Sequence, residues 1–143
     1  MIFIKIDNIP GDSTSASFKN WIELASFSWG SAQGRSLRDL HVVKEADSAS
    51  PALVGAACAS TPLGDATLVV TGAGEKAADF YKLKMFDVEV ASVQTSSSGD
   101  RPVETLSFRF KSSDLQLRSQ DSQGRLGDWS AVVSCTPCPP KHD

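Results

Sequence analysis

Four groupings of residues have the types and spacing to do chemistry. Cys135 and Cys138 stand in CxxC spacing, with His142 close behind. That is half a zinc site, but a closed structural site takes four ligands and no second CxxC or His pair completes it. The redox reading of CxxC wants a βαβ unit nearby, and no such pattern precedes it. Two thiols on a proline-rich tail is the simpler reading, so no structural zinc is expected. Gly72, Gly74 and Ala77 form a formal GxGxxA after the apolar run Thr67-Leu68-Val69-Val70. The dinucleotide fingerprint needs a full helix after those glycines. The next strand pattern begins by residue 80, which leaves room for a glycine turn only. Lys76 lacks the GxxxxGK spacing of a P-loop. His41 and His142 are the two imidazoles that could serve a nucleophilic Ser, yet there is no GxSxG elbow and no evident orienting acid. Asp87 and Glu89, two apart on a strand, share a face; they suit either acid–base work or a plain polar stripe. The expectation is no catalytic, cofactor-binding or metal-binding residues.

The elements that must position these residues are bounded by composition. The chain has 143 residues, 41% apolar and 22% charged, which fits one soluble globular domain. Lys and Arg number 14 against 17 Asp and Glu, a net charge of −3. With a pI near 5.3, non-specific nucleic-acid binding is disfavoured. No apolar run approaches the ~18 residues of a membrane span. Three cysteines are too few, and odd in number, for a disulfide framework. The opening Ile2-Phe3-Ile4-Lys5-Ile6 is too short for a signal-peptide core. The chain is therefore expected to be made in the cytoplasm and, if exported, to leave without a cleaved signal.

Period-2 alternation dominates, the mark of half-buried strands. Strands are expected at residues 2–6, 21–29, 37–44, 66–71, 80–94, 103–110, 114–119 and 129–135, with loops at 12–20, 30–36, 95–101 and 120–128. Within Trp21–Trp29 the apolar set shifts from even (Ile22, Leu24) to odd (Phe27, Trp29) positions, which calls for a bulge or bend near Ala25-Ser26. The long strand repeats the slip: Tyr81, Leu83 and Met85 are odd, while Phe86, Val88 and Val90 are even. Either a bulge lies there or the two halves face different apolar surroundings. Ser50-Pro51 marks a helix start, with Ser50 as the cap and Pro51 in the first turn. The helix runs to about residue 60, with Leu53, Val54, Ala57 and Cys58 as its candidate apolar side, and Thr61-Pro62-Leu63-Gly64 stops it. The fold class is mainly β: a closed or nearly closed barrel or sandwich of about eight strands, flanked by one short α-helix.

Several segments, in order, carry a resemblance to a known family. Phe3-Ile4-Lys5-Ile6-Asp7-Asn8-Ile9-Pro10-Gly11 resembles the opening strand and turn of the haemolysin-coregulated protein (Hcp) family, the tube proteins of type VI secretion. Trp21 to Gly30, ending in Ser-Trp-Gly, is similar to that family's most recognisable stretch. Asp39 to Cys58, with Lys44, Asp47, Ser50-Pro51 and Ala57-Cys58, follows its strand and helix pattern. Ala91 to Gly99 and Pro102 to Phe108 resemble its strand end, Ser/Gly loop and following strand. The likeness is collinear over about residues 2–134.

The resemblance implies a compact β-barrel of two sheets over residues 1–134, with residues 135–143 as a C-terminal tail. It also implies a structural role without enzymatic activity. Subunits would form a homohexameric ring, and rings would stack into a tube inside a contractile sheath, topped by a spike protein and able to carry effector cargo in the lumen. The protein would be cytoplasmic when assembled and secreted without a cleaved signal peptide. Phe86, Val88 and Val90 are candidates for the ring contact if the slip leaves them uncovered, and ordinary core residues otherwise. The family's loop after Ser-Trp-Gly is usually longer than residues 30–36, so weaker contact between rings is expected. Two other readings stay open: a secreted effector adaptor of the same fold that makes no tube, and a small β-barrel hydrolase using His41 with a nearby Ser.

Overall fold

The computed structural model describes residues 1–32, 35–36, 39–72, 78–120, 125–130 and 132–135. In chain order the elements are β1 (Ile2–Ile6), β2 (Ile22–Leu24), β3 (Ser26–Ser28), β4 (Ser31–Ala32), β5 (Arg35–Ser36), β6 (Asp39–Glu45), α1 (Ser50–Ala59), β7 (Gly64–Thr71), β8 (Asp79–Ser96), β9 (Val103–Arg109), β10 (Ser112–Gln120), β11 (Leu126–Trp129) and β12 (Val133–Cys135). The main sheet runs β2-β1-β7-β8-β9-β6-β3, and every pairing in it is antiparallel. Its two ends, β2 and β3, are successive pieces of the expected strand 21–29. The break falls at Ala25, whose amide donates to the Val43 carbonyl at 2.7 Å. The bend near Ala25-Ser26 thus passes one strand from β1 to β6, and the sheet returns on itself. Ile4, Leu24, Leu40, Val42, Leu68, Leu83, Met85, Leu106 and Phe108 fill the interior.

The slip in the long strand is a bulge, not a division between two environments. Gly64 pairs with Val88 and Ala66 with Met85, so β8 spends one residue more than β7 between those pairs. Asp87 takes up the excess with a left-handed backbone, φ 55°. Leu83 and Met85 before it, and Val88 and Val90 after it, all enter the same core. A second register shift, between Val90 and Ser92, turns Val93 back against that core. These two shifts, with a third near the start of the strand between the Tyr81 and Asp79 pairings, let one 18-residue strand curve from partners β7 and β10 to partner β9.

Residues 12–20 are more than a polar loop. They lie over the outer face of β1 and bury Phe18, which stacks on Phe3 at 5.0 Å and meets Trp21 edge-on at the same distance. That cover buries Phe3 on the face opposite Ile4. Gly11 is required for the return. A Cβ there would sit 2.6 Å from the Trp21 carbonyl oxygen.

Helix α1 begins as expected but is capped differently. Ala49 is the N-cap and no side chain caps it; Ser50 is turned instead into a buried polar cluster. Leu53 and Ala56 are the buried pair, and Ala57 packs partly, while Val54 and Cys58 are exposed. The inward side is therefore set by i, i+3 spacing from Leu53, and half of the expected apolar side faces out. Ser60 closes the helix in the left-handed conformation.

Of the expected strand 129–135, Val133–Cys135 forms β12, while β11 (Leu126–Trp129) falls mostly within the expected loop 120–128; both pair with β10. Residues 30–36, expected as a loop, contain the hairpin β4–β5, a two-stranded ladder separate from the main sheet.

Candidate functional site

The residues singled out for chemistry do not converge. His41 is exposed on β6, opposite Ser28 on one side and Ser107 on the other. Ser107 is already hydrogen-bonded to Ser92, Oγ to Oγ at 2.6 Å. A serine nucleophile needs its proton on a neighbouring base that an acid orients. Here the serines pair with each other across an open sheet face. Asp87 and Glu89 are both exposed, and Glu89 stands opposite Arg109 in the register. Cys58 is exposed on α1, and Cys135 enters β12 by its backbone. Cys138, His142 and the glycine turn at 73–77 lie outside the described residues. Among the described residues no three His, Cys, Asp or Glu side chains are grouped to hold a metal.

Of the three ring-contact candidates, Val88 (1% exposed) and Val90 (6%) are core residues, and Phe86 is half-buried. The bulge at Asp87 is the reason: it resets the alternation so that both valines point inward. Phe86 is left at the surface with the Lys84 ammonium 5.3 Å from its ring. Beside it the outer face of β8 and β10 carries a further cationic–aromatic cluster. Lys82 and Arg118 lie 4.6 and 4.2 Å from the Trp129 ring, and Arg118 reaches Asp79 at 3.4 Å.

Where β6 enters α1, a buried ion cluster joins three elements. Lys44 Nζ lies 2.6 Å from Glu104 Oε1 and 2.8 Å from Asp47 Oδ1. The Ser50 hydroxyl donates to Glu104 at 2.6 Å and accepts from Lys44 Nζ at 3.1 Å and from the Asp47 amide at 3.0 Å. Asp47 Oδ1 also accepts from the amide of Ala49, the N-cap residue, at 3.0 Å, which satisfies one backbone donor at the helix entrance. The cluster fixes α1 to β6 and β9. Sequence reasoning placed Lys44 and Ser50 without seeing the cluster, although a signal exists. Lys44 is in phase with Leu40 and Val42, and Glu104 with Leu106, Phe108 and Phe110, so each puts a charge on the core face of its strand. Outside it opens a cleft of about 370 Å³ lined by Asp12, Glu23, Glu45, Asp47 and Arg101, among others. Two Ser48 bonds, the side-chain bond ahead of the amide bond, hold the Asp12 carboxyl below the usual carboxylate range.

At the other end of the molecule, Trp29 Nε1 donates to the Tyr81 hydroxyl at 2.7 Å. Phe27 packs on the same tyrosine at 5.8 Å. Burial pushes the Tyr81 hydroxyl up, and the Trp29 bond pulls it the other way.

This architecture, with scattered titratable groups, one curved strand and a helix pinned by buried ions, has counterparts among known proteins. The family model for the type VI secretion system effector Hcp matches residues 3–116. The chain belongs to the Hcp family. A solved type six secretion system protein superposes with a TM-score of 0.89 at 27% identity, with 94% of each chain covered. A type VI secretion system effector from Yersinia pestis gives 0.79 at 28%, covering 94% of this chain and 97% of that one. Hcp1 from Salmonella typhimurium gives 0.78 at 29%, covering 93% and 89%. None of the curated proteins matches the chain in sequence. The Hcp fold accounts for the mainly β architecture with its single flanking helix. Among the described residues, no helix of this Hcp protein is long and apolar enough to cross a membrane.

Proposed function

We propose that this Hcp protein is a structural subunit of the type VI secretion inner tube. Six copies close into a ring, and rings stack within the sheath beneath the spike and are expelled with effector cargo. The observation that carries this reading is the family match over residues 3–116. Head-to-tail contacts close into rings when the rotation between copies permits. Phe86 is the sequence candidate still at the surface for such a contact. Val88 and Val90 act through the core that shapes it. The outer face formed by β3, β6, β9 and the second half of β8 supports the same reading. Its row Ser28, His41, Ser107 and Ser92 is polar, with three short hydroxyl side chains and one imidazole, which suits a wall past which cargo moves. The separate placement of His41, Asp87 and Glu89 supports a structural role over the hydrolase alternative.

Stacking is the weaker part of the assembly. Residues 30–36 span at most ~25 Å fully extended, and the β4–β5 hairpin folds that length back on itself. The lateral contact, made by barrel walls, holds the ring, while stacking needs high concentration or the sheath and spike. Native mass spectrometry at micromolar concentration tests the ring: a mass near six times 15.2 kDa is expected, and monomer alone overturns it. Negative-stain images across a dilution series test the stacking. Discrete rings are expected, and long tubes at low micromolar concentration without partners overturn the short-hairpin argument.

A further inference from the structure

Among the described residues, the β4–β5 hairpin pairs with no strand of the main sheet. Two-stranded hairpins are marginal in water, so its direction must be set where it leaves the barrel. It leaves immediately after Trp29. That residue follows β3, which is paired on β6, while its indole N–H reaches across to Tyr81 on β8, paired there with Val70 of β7 and Leu117 of β10. The two residues are 52 apart in sequence and both are partly buried against the core. Phe27, two residues before Trp29, packs on the same ring, so Tyr81 receives the end of β3 through one hydrogen bond and one aromatic contact.

We propose that Tyr81 is a positioning residue for the hairpin: its hydroxyl holds the Trp29 indole and so latches the base of residues 31–36 to β8 across the barrel. The latch is directional. The indole is a donor only, and the phenol oxygen is placed to accept. Rotating Trp29 away would leave a partly buried N–H unpaired, which keeps the indole, and with it the backbone leading into Ser31, in one orientation. The consequence for contact between rings rests on the tube reading above, but the latch itself does not.

Tyr81→Phe removes the acceptor and keeps the ring, and Trp29→Phe removes the donor. Hydrogen–deuterium exchange by mass spectrometry is run on the full chain, comparing each variant with wild type at matched oligomeric mass. The latch and the tube reading can therefore fail separately. Expected is about tenfold faster exchange in the peptide spanning residues 30–36 in both variants, the worth of one partly buried hydrogen bond. Peptides from β7 and from residues 83–90 should be unchanged. The double variant should exchange no faster than either single one, since both remove the same bond. In Tyr81→Phe the Trp29 indole N–H resonance should also move upfield. Wild-type exchange in the 30–36 peptide would overturn the proposal. So would an equal acceleration throughout the barrel, which marks a merely structural role.

Discussion

Two ion pairs lie where the end of β6 meets the chain entering β9, and they differ in almost every physical respect. Lys44 and Glu104 face each other directly across β6 and β9, with side chains 1% and 4% exposed and 2.6 Å between charged atoms. Glu45, the next residue, meets Arg101 at 3.7 Å with side chains 66% and 60% exposed. Lys44 and Glu45 adjoin in sequence, and each meets an opposite charge. What differs is the face of the sheet, because successive residues of a strand point to opposite sides. A buried pair that loses one partner leaves an uncompensated charge in the interior, at a cost of about 3–5 kcal/mol. An exposed pair is solvated before and after, and contributes about 0–1 kcal/mol. The comparison teaches that here the phase of alternation, and not the presence of opposite charges, decides which contact holds the helix to the barrel.

The largest expected effect breaks the buried side. Lys44→Met leaves Glu104 and Asp47 without their cation, and urea unfolding should show a loss of about 3–5 kcal/mol. A loss under about 1 kcal/mol would mean that water reaches the cluster and that the two pairs are alike after all. The double variant Lys44→Met/Glu104→Leu removes the pair together. It should recover most of that loss, because well-packed apolar replacements for a buried ion pair are often neutral or better. Asp47 keeps the Ala49 amide but still lacks its cation, so part of the loss remains.

Ser50→Ala sharpens the comparison at the next scale down. Its hydroxyl stands between Lys44, Glu104 and the Asp47 amide. Removing it should cost about 1.5–3 kcal/mol, the range for a hydrogen bond to a charged group. If Ser50 were instead the helix cap read from Ser50-Pro51, its loss would fray the first turn of α1 alone. Exchange of the amides near Lys44 in β6 separates the two, since only the cluster role moves them.

Much of this was legible in the sequence, and each failure has its own physical cause. Alternation located β1, β6, β7, β8 and β9 and the bend at Ala25 because a strand with one buried face must alternate. The family likeness rested on the same segments. The slip at Phe86-Asp87 was visible, but whether Val88 and Val90 faced the core or a neighbour depended on Asp87 adopting a left-handed backbone, which residue types do not dictate. The second slip, between Val90 and Val93, passed unseen among serines and alanine. Phe18 within a Ser-rich stretch gave no periodic signal, yet it closes the outer face over Phe3. The helix side was misread because almost every residue of Ser-Pro-Ala-Leu-Val-Gly-Ala-Ala-Cys-Ala is small or apolar, so hydrophobicity could not orient it. Lys44 and Glu104 were hidden by habit: charge suggests the surface, whereas the phase of each strand put both inside.

The smallest effects lie on the exposed side. Arg101→Ala should change stability by less than about 0.5 kcal/mol, and added salt should erase even that. Asp12 beside it extends the argument to pH. Its carboxylate accepts from the Ser48 amide at 2.9 Å and from the Ser48 hydroxyl, and these bonds hold its pKa down in the folded chain. A carboxyl depressed by folding contributes stability above its unfolded pKa, ~3.9, and loses it as pH falls through the lower folded value. The tie between residue 12 and the entrance of α1 should therefore persist at neutral pH and release only in acid. Carboxyl NMR titration should place the Asp12 midpoint below that of an unstructured aspartate, and Ser48→Ala should raise it. An ordinary midpoint in the wild type would show that the Ser48 bonds do not persist in solution. Because Asp12 stands in water, even their full loss should leave α1 in place, held by Lys44 from the other face.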